Sequence, residues 1–118
     1  MKSTLTLLLF ILLFASCEKE GPGDFYISVY HNENAYIPYK FYLDGVLQGT
    51  INTEPYSTPP PIECDDIYAN LVSGILYITP YSGPHKWELQ EERNGSWVVV
   101  SSGNYTIVAN NCNTLTIR

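Results

Sequence analysis

Apolar and polar residues alternate along most of this chain with a period of two, the spacing of a strand with one buried face. Phe25, Ile27 and Val29 fall on one side of segment 25–30, and Tyr26, Ser28 and Tyr30 on the other. Ile37, Tyr39, Phe41 and Leu43 form the next in-phase stripe, with Lys40 and Tyr42 opposite. Pro38 has no N–H for a ladder bond, which places the start of this strand at an edge or a bulge. Asp44-Gly45 predicts a tight hairpin into 46–51, and Asn94-Gly95 a second between 85–92 and 96–101. In the first arm of that second hairpin Trp87 and Leu89 face inward, and Lys86, Glu88 and Gln90 outward. Segment 74–80 reads as a strand that Ser82-Gly83-Pro84 turns back. Ser102-Gly103 predicts a turn into 105–109. Asn110-Asn111 predicts another into 112–118, where Leu115 and Ile117 are in phase and Thr114 and Thr116 point out. No helical period lasts three turns.

Two segments depart from this alternation. Residues 7–15 are an unbroken apolar run of nine, too short to cross a hydrocarbon core of ~30 Å. Residues 52–63 hold Pro55, Pro59, Pro60 and Pro61. This predicts an irregular crossover between two sheets, with a short polyproline II stretch over 58–61. Residues 67–71 fit either a strand or a turn.

Composition sharpens the fold class. From residue 17 onward Val, Ile, Phe, Tyr and Trp outnumber Ala, Leu and Met by 30 to 9, a bias toward pleated, half-buried strands. The remaining chain suffices for one modest core. The expected architecture is all-β: a small antiparallel β-sandwich, Ig-like or transthyretin-like, of seven to nine strands over 25–118. The net charge of −6 carries no basic stripe, so nucleic acid is not an expected partner.

The N-terminus speaks to location. Lys2 precedes the apolar run, and small residues Ala15 and Ser16 lead to Cys17. Leu13-Phe14-Ala15-Ser16-Cys17 resembles a bacterial lipoprotein lipobox, with Phe14 a departure from its commonest pattern. That resemblance implies a signal peptide over 1–16, lipidation of Cys17 by acyl (palmitate-type) chains, and membrane attachment through that lipid. More than one chain is needed for a stable anchor, since each buried methylene contributes only ~0.8 kcal/mol. Residues 17–24 then read as a lipid-anchored, Gly/Pro-rich flexible tether. In the lipoprotein family an Asp after the lipidated Cys often marks inner-membrane retention. Glu18 stands here, which points to the outer membrane, and Glu18-Lys19-Glu20 resembles surface-export tethers. With Cys17 committed to lipid, Cys64 and Cys112 remain as an expected disulfide in an oxidising compartment.

A second resemblance lies in the domain itself. Tyr42-Leu43-Asp44-Gly45-Val46-Leu47-Gln48-Gly49-Thr50 is similar to the strand–DG–strand–GT unit of PEGA-type surface β-domains. Pro84-His85-Lys86-Trp87, followed by Asn94-Gly95, resembles their later hairpin. Residues 52–75 interrupt the pattern. The resemblance implies a small extracytoplasmic β-sandwich and no catalytic residues.

Candidate chemistry is sparse. Neither His31 nor His85 sits in a nucleophile-elbow sequence, so no catalytic residue and no cofactor is expected. Glu63, Asp65 and Asp66 form the densest acidic cluster but lack the spacing of a calcium loop. They read as a solvated loop rather than a metal site. Tyrosine is the unusual feature, with 10 in the chain. Tyr26, Tyr30, Tyr36 and Tyr42 alternate opposite the core stripes and are the candidate ligand-binding face for a glycan or a protein. These features predict a lipid-anchored envelope protein acting as a non-catalytic binding or structural module at the outer membrane. The alternative is an inhibitor or immunity-type protein that docks a partner enzyme through loop 52–63. Pro55, Tyr56, Pro59, Pro60 and Pro61 would be its contact residues, because proline lowers the entropy lost on docking.

Overall fold

The computed structural model describes residues 20–64 and 72–118. The signal segment 1–16, Cys17, and residues 65–71 with Asp65 and Asp66 lie outside them. Among the described residues there is no helix. Seven strands form two sheets: β1 (Asp24–Val29), β2 (Ile37–Leu43), β3 (Val46–Thr53), β4 (Ile75–Ile78), β5 (Gly83–Arg93), β6 (Ser96–Ile107) and β7 (Cys112–Ile117). One sheet has the order β4-β1-β7 and the other β3-β2-β5-β6.

The alternation fixes which side of each strand is buried. In β2 Ile37, Tyr39, Phe41 and Leu43 are buried while Pro38, Lys40 and Tyr42 are half-buried. Phe25, Ile27 and Val29 of β1 meet that stripe in one core, joined by Ile51, Leu89, Ile107 and Ile117. Leu76, Ile78, Trp87, Tyr105 and Leu115 close its margins. The core thus draws on both sheets, as in a sandwich. Each fully buried side chain of this size contributes roughly 1.5–3 kcal/mol. Phe25 stacks on Tyr105 at 4.7 Å and meets Phe41 edge-on at 6.2 Å, arrangements that aromatic quadrupoles favour.

Both hairpin signals hold. Asp44 and Gly45 have φ of 49° and 79°, and Asn94 and Gly95 have 51° and 83°. Two successive positive φ values are the type I′ geometry that matches strand twist. Pro38 pairs with Asn52 of β3 and lies just past the last β2 residue in register with β5, so its missing N–H falls where that ladder has ended.

Three expectations need correction. The strand pairing is not wholly antiparallel: β1 pairs with β7 in parallel, Asp24 beside Cys112 through Val29 beside Ile117. Asn113 secures this junction. Its amide nitrogen donates to the carbonyl oxygens of Asp24, Val108 and Asn111, and its oxygen accepts from the Val108 N–H. Second, Ser102-Gly103 is no turn but lies in the middle of strand β6. Gly103 is there for packing, since a Cβ at that position would stand 3.0 Å from the Trp87 ring. Third, the tether ends earlier than 24. The Gly21 carbonyl accepts from Ser82 N–H, Gly23 N–H donates to Pro80 O, and Pro22 O accepts from Asn110 N–H. Gly23 allows this approach, because a Cβ there would lie 2.5 Å from Val108 O.

Candidate binding surface

The outer faces of the two sheets differ in what covers them. On the three-stranded sheet Tyr26 is 2% exposed and Ser28 is equally buried. Tyr26 lies beside Tyr77 of β4 with ring centroids 4.8 Å apart. Ile62, Val72 and Cys112 pack on Tyr26, Tyr77 and Ile75 as a second small core. The proline segment contributes Ile62 to this cover and is held along the end of β1. Ser57 Oγ donates to Val29 O at 2.8 Å, Tyr30 OH donates to Pro59 O at 2.8 Å, and His31 N–H donates to Ser57 O. The Cys64–Cys112 disulfide, with Cα atoms 5.7 Å apart, ties the end of that segment to β7. This pairing is the one the cysteine count predicted.

The outer face of the four-stranded sheet carries no such layer among the described residues. Leu47, Tyr42, Glu88 and Ser102 form one row across the strands, and Thr50, Lys40, Gln90 and Val99 form the next. Trp97 lies beyond, with the Lys40 ammonium 4.2 Å from its ring centroid, a cation–π contact. Gln90 Nε2 donates to Glu88 Oε2 at 2.9 Å. The turn end of this face holds an open cleft of about 430 Å³ lined by Asp44, Lys86, Trp87, Glu88, Ser102 and Asn104. Its lining brings acidic, basic, hydroxyl, amide and aromatic residues together. Such mixed polar and aromatic lining orients a polar ligand.

Asp44 is the fixed element of the cleft. Its Oδ1 accepts from the Lys86 N–H at 2.9 Å and its Oδ2 meets His85 Nδ1 at 2.7 Å. The Lys86 N–H foremost, then the His85 ring, hold its carboxyl below the usual value of 3.8. His85 Nε2 lies 2.7 Å from Tyr81 O. Both its nitrogens thus face oxygen atoms, one of Asp44 and one of the Tyr81 carbonyl. His31 shows the opposite pattern. Its Nδ1 accepts from Glu33 N–H, and its Nε2 meets Thr53 Oγ1, whose own proton goes to Ile37 O. Neither ring presents an unengaged nitrogen to a nucleophile.

The structure does not bring the four candidate tyrosines together. Tyr26 is buried among Ile62, Val72, Tyr77 and Cys112, and Tyr30 is half-buried with the Arg118 guanidinium 4.7 Å from its ring. Tyr36, 78% exposed, sits in the β1–β2 connection, and Tyr42 lies on the other sheet. The physical reason is that β1 and β2, adjacent in sequence, belong to opposite sheets, so their outward faces point apart. Loop 52–63 is likewise not a free arm. Pro59 is buried, Pro55 is half-buried, and Tyr56, Pro60 and Pro61 are exposed. Tyr56 has φ of 55° and its N–H donates to Glu33 O. Glu63 is exposed. The Tyr42–Thr50 unit coincides with the β2–β3 hairpin, and Pro84–Trp87 with the start of β5. Sequence reasoning missed Trp97 as part of the open face, though its alternation with Val99 carried the signal. It also missed Asn113, whose role depends on a parallel pairing no local pattern announces. Compared with protein families, with curated proteins and with solved structures, the chain matches none.

Proposed function

We propose that this chain is a lipid-anchored, non-catalytic binding or structural module of the bacterial cell envelope, acylated at Cys17 and held at the outer membrane. Its folded part is a small sandwich of the Ig-like or transthyretin-like kind. The Leu13–Cys17 lipobox-like segment and the paired extracytoplasmic cysteines support the location. The binding reading rests on one observation: the outer face of one sheet is covered while that of the other is open. Tyr42, Trp97 and the Asp44–Asn104 cleft then form the recognition surface, suited to the hydroxyls and apolar faces of a glycan.

The test has two arms. The full chain and its Cys17→Ala variant are fractionated, and the variant should leave the membrane pellet. Retention of the variant there would refute the anchor. The purified protein is then applied to an array of immobilised bacterial and plant polysaccharides. Binding that Tyr42→Ala and Trp97→Ala each weaken about tenfold, a loss of ~1.4 kcal/mol, is the expected result. Binding to none, or binding indifferent to both variants, would refute the surface.

A second reading has its own observation. Tyr56 is 54% exposed while its own N–H is bonded to Glu33 O and the residues that follow it are held through Ser57 and Pro59. Such a rigid aromatic is the form an inhibitory loop takes, and Tyr56→Ala is the variant that separates the two readings.

A further inference from the structure

Among the described strands β6 is the longest, 12 residues, and it lies at the edge of its sheet, paired with β5 alone. A long edge strand offers a row of unpaired N–H and C=O groups, and proteins blunt such rows with lysines, prolines, bulges or short length. Of these devices β6 has a single bulge. Its sequence SWVVVSSGNYTI contains no charge and no proline. Trp97, Val98, Val99 and Val100 are 36–48% exposed. A single irregularity interrupts it, where the register with β5 shifts between Leu89 and Gln90 and leaves Val100 without an opposite residue.

We propose that β6 is a self-association edge, at which a second copy of this chain adds its own β6 antiparallel across a two-fold axis. Charge selects the occupant. The chain carries a net charge of −6, so two copies repel at most approaches. Along β6 they meet with no ionised group on the pairing strand: the charges Lys86, Glu88, Glu91, Glu92 and Arg93 stand on β5, and the Lys40 ammonium that lies against the Trp97 ring comes from β2. An uncharged edge offers a charged partner nothing to complement, whereas an identical uncharged edge fits it. The register follows from face parity. Trp97 and Val99 lie on the outer face and Val98 on the other. Directly opposed residues of an antiparallel pair share a face. Setting Val98 against the partner's Val98 therefore sets Trp97 against the partner's Val99, and all three contacts are apolar. The isologous contact closes on itself and joins two four-stranded sheets into one.

Sedimentation of the purified full chain in mild detergent, over a wide concentration series, tests this. A reversible dimer is expected. Val98→Glu sets two carboxylates against each other and should weaken it about tenfold or more. Leu47→Glu, an equally exposed apolar site on β3, should leave it unchanged. The Val98→Cys variant should form a disulfide-linked dimer on mild oxidation, and Val46→Cys should not. Monomers at every concentration would overturn the proposal. So would a dimer that Leu47→Glu dissolves and Val98→Glu spares, or equal cross-linking from both cysteines.

Discussion

The two outer faces of this molecule begin from nearly the same pattern and end in opposite states. On β1 Tyr26 and Ser28 alternate with the core residues, and on β2 Lys40 and Tyr42 do the same. Tyr26 is buried among Ile62, Val72, Tyr77 and Cys112, whereas Tyr42 stays partly exposed on a sheet that no other described segment covers. Alternation therefore decides which residues leave the core, not whether they reach water. That second decision belongs to residues far along the chain, Ile62, Val72 and Cys112, with the Cys64–Cys112 bond tying the Ile62 stretch to β7. A covered face adds to stability, and an open one leaves side chains available for recognition.

The difference can be broken most forcefully at the disulfide. Replacing Cys64 and Cys112 together by serine frees a loop with a sequence separation of 48. The chain-entropy relation puts the loss at about 4 kcal/mol, read from the denaturant midpoint. Amide exchange should rise over Tyr26–Val29 far more than over Lys40–Tyr42. Equal acceleration on both would show that the cover does not act locally. Next, Tyr26→Ala should cost about 3 kcal/mol by emptying the second core, against less than about 1 kcal/mol for Tyr42→Ala. Thermal unfolding of both variants makes the comparison, and similar losses would erase it.

The third effect concerns the inner side of the strand that bears the open face. Burial, then the Glu91 and Glu33 carboxylates, push the Tyr39 hydroxyl up to about 12 from 10.0. A raised folded value means the contribution is complete below pH 10 and is lost as pH climbs toward about 12. The loss is of order 2 kcal/mol. Tyr39→Phe should flatten that alkaline decline in a pH series of unfolding midpoints. The smallest effect lies at the rim of the open face. Asp44 is held below its usual value, so what it contributes is present above pH 3.8 and fades as acidity carries it through its lowered folded value. A carbon-detected titration should place its midpoint below 3.8, and Lys86→Pro, which removes the N–H, should return it toward that value.

Much of the architecture was legible in the sequence because it is local. Type I′ turns need positive φ at two adjacent residues, and Asp44-Gly45 and Asn94-Gly95 supply them. The core stripe of β2 was legible for the same reason. The cysteine pair followed from counting. Ser102-Gly103 misled because a small pair suits a turn and also suits a strand that an indole must cross. The tyrosine face was misread because sequence adjacency of β1 and β2 does not reveal membership of different sheets. The open cleft gathers Asp44, Glu88 and Asn104 from three parts of the chain, a grouping only register can disclose.

The parallel union of the first and last strands also orders events in time. Asp24 and Asn113 touch across 89 residues, so the sheet that β1 centres lacks one side until the final strand is present. Contacts this distant in sequence slow folding, because the loop they close must first be searched. A chain delivered N-terminus first through a narrow passage thus cannot lock residue by residue. Its closure waits for the last few residues, which bring Cys112, Asn113 and the β7 backbone together.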